Sequence, residues 1–90
     1  MTIEKAKRIL KEIKNTAAHA SLTGSLKGGA GLLIKAYNTV FNYAVAQQWI
    51  ENIGIVTEID EAEIGDKVKP MDYVGCAAGL LSALLEEVVD

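Results

Sequence analysis

Hydrophobic positions return with a helical period in three stretches of this chain. In the first, Ile3, Ala6, Leu10, Ile13, Ala17 and Ala20 alternate steps of three and four residues, with Ile9 beside them. That rhythm lines one face of a helix. It predicts an amphipathic helix over about 2–21. Thr2 can cap it by accepting from a free amide of the first turn, and Glu4 lies where the helix dipole favours an acid. The outer face carries Lys7, Lys11 and Lys14, with Glu4 in reach of Lys7 and Arg8 but no acid to match Lys14. It reads as a solvated cationic face.

Glycine then interrupts the pattern: Gly24, Gly28, Gly29 and Gly31 fall within a few residues of one another. Glycine weakens helices, so a bend is expected over 22–29. The helical period resumes at Ala30 with Leu33, Tyr37, Val40, Phe41, Ala44 and Val45, while Leu32, Ile34, Ala36 and Trp49 widen the apolar face. More than one neighbour must cover so wide a face. The predicted helix runs over 30–52 and stops because Gly54 can take the left-handed position that ends helices. In the third stretch Val74, Ala77, Leu81, Leu84 and Val88 keep the helical spacing, with Ala78, Leu80 and Leu85 on the same side. Pro70 suits a first turn and Asp72 a helix start, which predicts a helix over 70–88. Gly75, Gly79 and Ala83 stand four apart and form a flat ridge where another helix backbone can come close.

Between the second and third helices, residues 53–69 form an acidic connector with two readings. Ile55-Val56-Thr57-Glu58-Ile59 is β-branched and can pair with Ile64-Gly65-Asp66-Lys67-Val68 as a short hairpin, whereas Asp60-Glu61-Ala62-Glu63 suits a helical turn. The fold class that follows is all-α. It is a bundle of three helices, or four with a short extra element, completed by self-association, because the second and third helices carry more apolar surface than three helices cover. Ninety residues leave room for one domain, 1–90.

Composition removes several classes. With 50% hydrophobic and 23% charged residues and one proline, the chain is not disordered, collagen-like or low-complexity. Cys76 is the only cysteine. It cannot form an internal bridge, and a reducing, cytoplasmic setting is the expectation. The charged start Thr2-Ile3-Glu4-Lys5-Ala6-Lys7-Arg8 does not resemble a secretory signal, and Lys35, Asn38, Asn42, Gln47 and Gln48 interrupt the longest apolar region. No membrane association is predicted.

The net charge of −3 hides a split. Residues 1–50 hold seven basic against two acidic side chains, a net of +5, and residues 51–90 hold ten acidic against two basic, a net of −8. Opposite charges in so small a chain are expected to complement each other within the fold or between copies. An overall pI of about 5.1 speaks against nucleic acid as a partner.

Candidate chemistry is sparse. The stretch Ser25-Leu26-Lys27-Gly28-Gly29-Ala30-Gly31 resembles the segment around the phosphorylated histidine of histidine-phosphotransfer domains, whose pattern is His-x-Leu-Lys-Gly-small-Ala-Gly on a helical bundle. Gly24 stands where that family has its histidine. Without the nucleophile the resemblance implies no phosphotransfer. Independently of it, amides freed at a glycine-rich turn into a helix can point at an anion, and Lys27 adds a positive charge. Lys27, Gly28, Gly29 and Gly31 are therefore candidate ligand-binding residues. The order of residues matches neither a P-loop nor a dinucleotide fingerprint.

His19 is expected at the surface and Cys76 in the core. Glu58, Asp60, Glu61 and Glu63 lack the glycine and closing glutamate of an EF-hand loop, so they read as a solvated acidic loop. Neither a metal nor a cofactor is predicted, and no nucleophile, base and orienting partner can be assembled for catalysis. The function expected first is a small, non-catalytic, self-associating helical module that binds macromolecules. Its partners would be copies of itself, as a homodimer or higher, and another protein. Tyr37, Phe41, Trp49, Gly75, Gly79 and Leu81 are the candidate contact residues between copies. The alternative is a binder that holds an anionic small molecule, a phosphate-bearing metabolite or nucleotide, at the Lys27–Gly31 turn between subunits.

Overall fold

The first helix, α1 (Ile3–Thr23), starts directly after Thr2, the residue the pattern named as its cap. The Lys5 amide donates to the Thr2 hydroxyl oxygen at 3.1 Å, and the Ala6 amide to the Thr2 carbonyl at 3.0 Å, which satisfies two donors that a bare helix start leaves open. In this computed structural model, residues 1–23, 30–50, 56–60 and 70–88 are described. Two further helices, α2 (Ala30–Ala46) and α3 (Pro70–Glu86), complete an all-α architecture, with no strand among the described residues. The glycine-rich bend and the returning half of the hairpin considered for the connector lie outside them. A radius of gyration of 12.7 Å, against the roughly 12 Å typical of a ninety-residue domain, requires the helices to pack on one another.

The core follows the helical stripes. Ile3, Ala6, Leu10, Ile13 and Ala17 of α1 are buried, and face Val74, Ala78, Leu81 and Leu85 of α3 and Ile34, Tyr37, Val40, Phe41 and Ala44 of α2. Each fully buried leucine or valine contributes roughly 1.5–3 kcal/mol relative to its exposed state. Helix α1 runs antiparallel to α3: Ala17 lies beside Gly75, Lys14 beside Gly79, and Lys7 within 3.6 Å of Glu86. No described side chain buries a polar atom without a hydrogen-bond partner.

Helix α2 ends earlier than 52 and without glycine. Gln48 takes the left-handed position (φ 59°), its amide donates to Val45 O at 3.0 Å, and the Trp49 amide reaches back to Ala44 O at 2.9 Å. This pair of bonds closes the last turn in a Schellman motif. Trp49 then lies edge-on to Tyr43, ring centroids 5.4 Å apart, supplying the apolar contact that usually accompanies the motif. Those contacts offset the roughly 1–2 kcal/mol that a left-handed side-chain-bearing residue costs. Gly54, the expected terminator, falls outside the described residues. Helix α3 stops two residues before 88, where the Glu87 and Val88 amides bond three residues back, to Leu84 O and Leu85 O.

Candidate functional site

Two surfaces flank α3, and they are built differently. On one side the chain returns along α2 as residues 56–60, with Val56 and Ile59 buried and Thr57, Glu58 and Asp60 exposed. Asn38 holds this segment as a second strand would: its Nδ2 donates to Ile59 O at 2.8 Å and its Oδ1 accepts from the Ile59 amide at 2.8 Å. Tyr37 adds a third bond by donating from its hydroxyl to Thr57 O at 2.9 Å. Burial, and to a lesser extent the neighbouring Tyr73, pushes the Tyr37 phenol above its ordinary range. It therefore stays protonated as a donor through neutral pH. The segment is an irregular strap rather than a strand, because the Asn38 amide and the Tyr37 hydroxyl of α2 satisfy its backbone, and beyond Asp60 the helical turn considered for 60–63 lies outside the described residues.

On the other side, between α1 and α3, lies an open groove of about 640 Å³ lined by Lys14, Ala17, Ala18, Met71, Asp72, Gly75, Cys76, Gly79 and Leu80. The small residues leave its floor low. A methyl at Gly75 would meet the Ala17 Cβ at 3.2 Å, so the two backbones approach as closely as glycine allows. Toward the start of α1 the same cleft turns polar, with Glu4, Lys7, Arg8 and Lys11 facing Ser82 and Glu86. Lys7 is 3.7 Å from Glu4 and 3.6 Å from Glu86; no carboxylate of the described residues pairs with Arg8, Lys11 or Lys14. A cationic rim thus borders an apolar trough. Large apolar side chains also stand in solvent nearby, with Leu80 52% and Tyr73 44% exposed.

The residues singled out in the sequence divide accordingly. Gly75 and Gly79 do floor the groove, half-buried. Tyr37, Phe41 and Leu81, expected at a contact between copies, are 0%, 5% and 0% exposed within one chain, where they join the core of the three helices. Tyr37 and Phe41 stack in the core with centroids 6.2 Å apart. Trp49 is half-buried against Tyr43 at the end of α2. Of the glycine-rich turn, Gly31 is half-buried in the first turn of α2, and Lys27, Gly28 and Gly29 lie outside the described residues. Cys76 corrects its expected burial, since the flanking glycine and alanine leave its thiol exposed on the groove wall. His19 is exposed on α1; Glu58 and Asp60 are exposed on the strap, and Glu61 and Glu63 lie outside the described residues.

Asn38 is the residue that periodicity misses. A polar side chain inside the apolar run of α2 breaks the pattern, and that break is the signal that it anchors something. No group of three metal-binding side chains gathers among the described residues. No described helix is long and apolar enough to cross a membrane. Neither the known protein families nor the characterised proteins nor the solved structures contain a match to this chain.

Proposed function

We propose that this chain is a non-catalytic, self-associating helical module that works by binding protein. The observation that supports this reading is the groove between α1 and α3. It is apolar between Met71 and Leu80, open to solvent, floored by glycine and bordered by lysines, which is the shape and chemistry that accept an amphipathic helix. Leu80, half exposed on its wall, extends its apolar surface outward instead of closing it. Catalysis by nucleophile and base has no support in the groove, whose titratable side chains are three carboxylates, three lysines, an arginine and one thiol without a histidine among them.

Native mass spectrometry on protein purified gently from its expression host tests the reading, because it reports subunit number and retained molecules together. A homo-oligomer free of adducts supports it. A single chain that carries a discrete small molecule would overturn it in favour of a ligand binder.

A further inference from the structure

Resting on the reading of the groove as a protein-binding site, we propose that its occupant is an acidic amphipathic helix of a different protein, laid lengthwise between α1 and α3 with its acids on Lys11 and Lys14. Shape sets the size of this occupant. One edge of the groove is the α1 stripe Lys7, Lys11, Lys14 and Ala18, at steps of four, three and four, and the other is the α3 stripe Met71, Gly75, Gly79 and Ser82, at steps of four, four and three. Lys14 and Gly79 line both the apolar and the polar stretch, so the two form one continuous groove. From Lys7 to Ala18 it runs eleven residues, roughly 16 Å or three turns at 1.5 Å per residue. Its floor stays low at Gly79, where even a methyl would touch only the flexible Lys14 stem at 3.7 Å. A trough of this length, open along one side, takes a short helix.

Charge sets its sign. Arg8, Lys11 and Lys14 are exposed, follow one another at three-residue steps, and pair with no carboxylate of the described residues. They spread over six residues of α1, roughly 9 Å along its axis. The single head group of a fatty acid or metabolite meets one or two of them, whereas a helix with acids at three- and four-residue steps meets all three. Lys7, bridged to Glu4 and Glu86, closes the polar end, and Met71, Ala17, Ala18 and Gly75 make the other end apolar. The occupant therefore carries acids over about two turns and small or aliphatic residues over the third.

The helices of this chain do not fit that description, which selects a different protein over a second copy. Helix α1 carries five bases against two acids, and α2 has Lys35 as its only charged residue. Helix α3 holds Asp72 and Glu86, but Asp72 is engaged within its own chain and Glu86 lies on Lys7. The strap adds Glu58 and Asp60 on a segment that is not helical, and Asp60 is engaged as well. No described helix of a second copy therefore brings a row of unpaired acids to Lys11 and Lys14.

Two synthetic alanine-rich helical peptides of about 20 residues, long enough to hold a helix in water, test this on the full chain. One carries glutamates at three- and four-residue steps over two turns, then leucine and alanine on the same face; the other has lysine in place of each glutamate. The acidic peptide is expected to bind, to release as salt is raised, and to slow alkylation of Cys76, which stands exposed on the groove wall. Lys11→Glu and Lys14→Glu should each weaken it by about fivefold, the scale of an exposed ion pair, and the double variant should prefer the lysine peptide. Both positions are exposed, so circular dichroism should show unchanged helical content. Equal binding of the two peptides, binding that leaves Cys76 unprotected, or a homo-oligomer that binds neither peptide overturns the acidic occupant and leaves the interaction-module reading standing. Binding of dodecanoate but of neither peptide by a single chain overturns both.

Discussion

The two flanks of α3 show the difference between a finished and an unfinished surface. The α2 side is closed by direction: Asn38 and Tyr37 aim three hydrogen bonds at the backbone of residues 57–59, and Val56 and Ile59 fill the space beneath. The α1 side is closed only by contact. Its helices meet through alanine, glycine and leucine, and the one described ion-paired lysine, Lys7, binds its acids at 3.6 and 3.7 Å in solvent, worth at most about 1 kcal/mol. Directional bonds fix a single partner, and the hollow left beside them, lined by Tyr37, Val56, Thr57 and Tyr73, is about 280 Å³, less than half of the groove's 640 Å³. Apolar contact between small residues fixes the spacing of two helices and leaves an adhesive trough beside them.

Adjacent residues of α3 put the largest effect on that comparison. Leu81 is fully buried and Leu80 is half in solvent. Leu81→Ala leaves a cavity where α1, α2 and α3 meet and is expected to cost about 3 kcal/mol, within the usual range for buried leucine. Leu80→Ala should cost less than about 0.5 kcal/mol in the dissociated chain. Chemical denaturation of both variants at low concentration checks this. Equal losses would mean that the groove side is core after all.

Asn38→Ala comes next. It removes a donor and an acceptor at once and strands the amide and carbonyl of Ile59, which is expected to cost about 2 kcal/mol, because unmade bonds at a partly buried backbone cost more than made ones contribute. Hydrogen exchange locates the loss: the Ile59 amide should lose protection while Leu10 and Leu81 in the core keep theirs. Unchanged protection at Ile59 would show that the strap is held by Val56 and Ile59 packing alone.

These two substitutions also mark how far the sequence can be read. The stripes of α1 and α3 were legible because burial follows the helical period, and Leu10, Ala17, Val74 and Leu81 each fall where the period puts them. The Thr2 cap was legible for the same local reason. What periodicity cannot say is which apolar neighbour covers which face. Tyr37 and Phe41 read as candidates for a second copy, yet their own chain buries them once α1 and the strap are in place. The end of α2 was misplaced because a glutamine accepted the left-handed geometry normally left to glycine, compensated by Trp49 on Tyr43. Of the candidate site, the glycine ridge of α3 was visible. The groove beside it was not, since it exists only where Lys14 and Ala18 of α1 come alongside.

The smallest effects separate the two glycines of that ridge. Each stands inside a helix, where alanine is intrinsically better by roughly 0.5–1 kcal/mol. At Gly79 the new methyl finds the Lys14 stem at an ordinary 3.7 Å, so Gly79→Ala is expected to raise stability by most of that amount. At Gly75 the methyl meets the Ala17 Cβ at 3.2 Å, and Ala17 is rigidly held in the core of α1. One helix must move to relieve the contact, so Gly75→Ala is expected to forfeit the gain and fall below the parent. The two variants should differ by roughly 1 kcal/mol, or about 4–8 °C in Tm for a chain of this size. Measuring them at low concentration limits any contribution from association. An equal gain at both positions would show that α1 and α3 are not in close approach at Gly75, and the low floor of the groove would go with it.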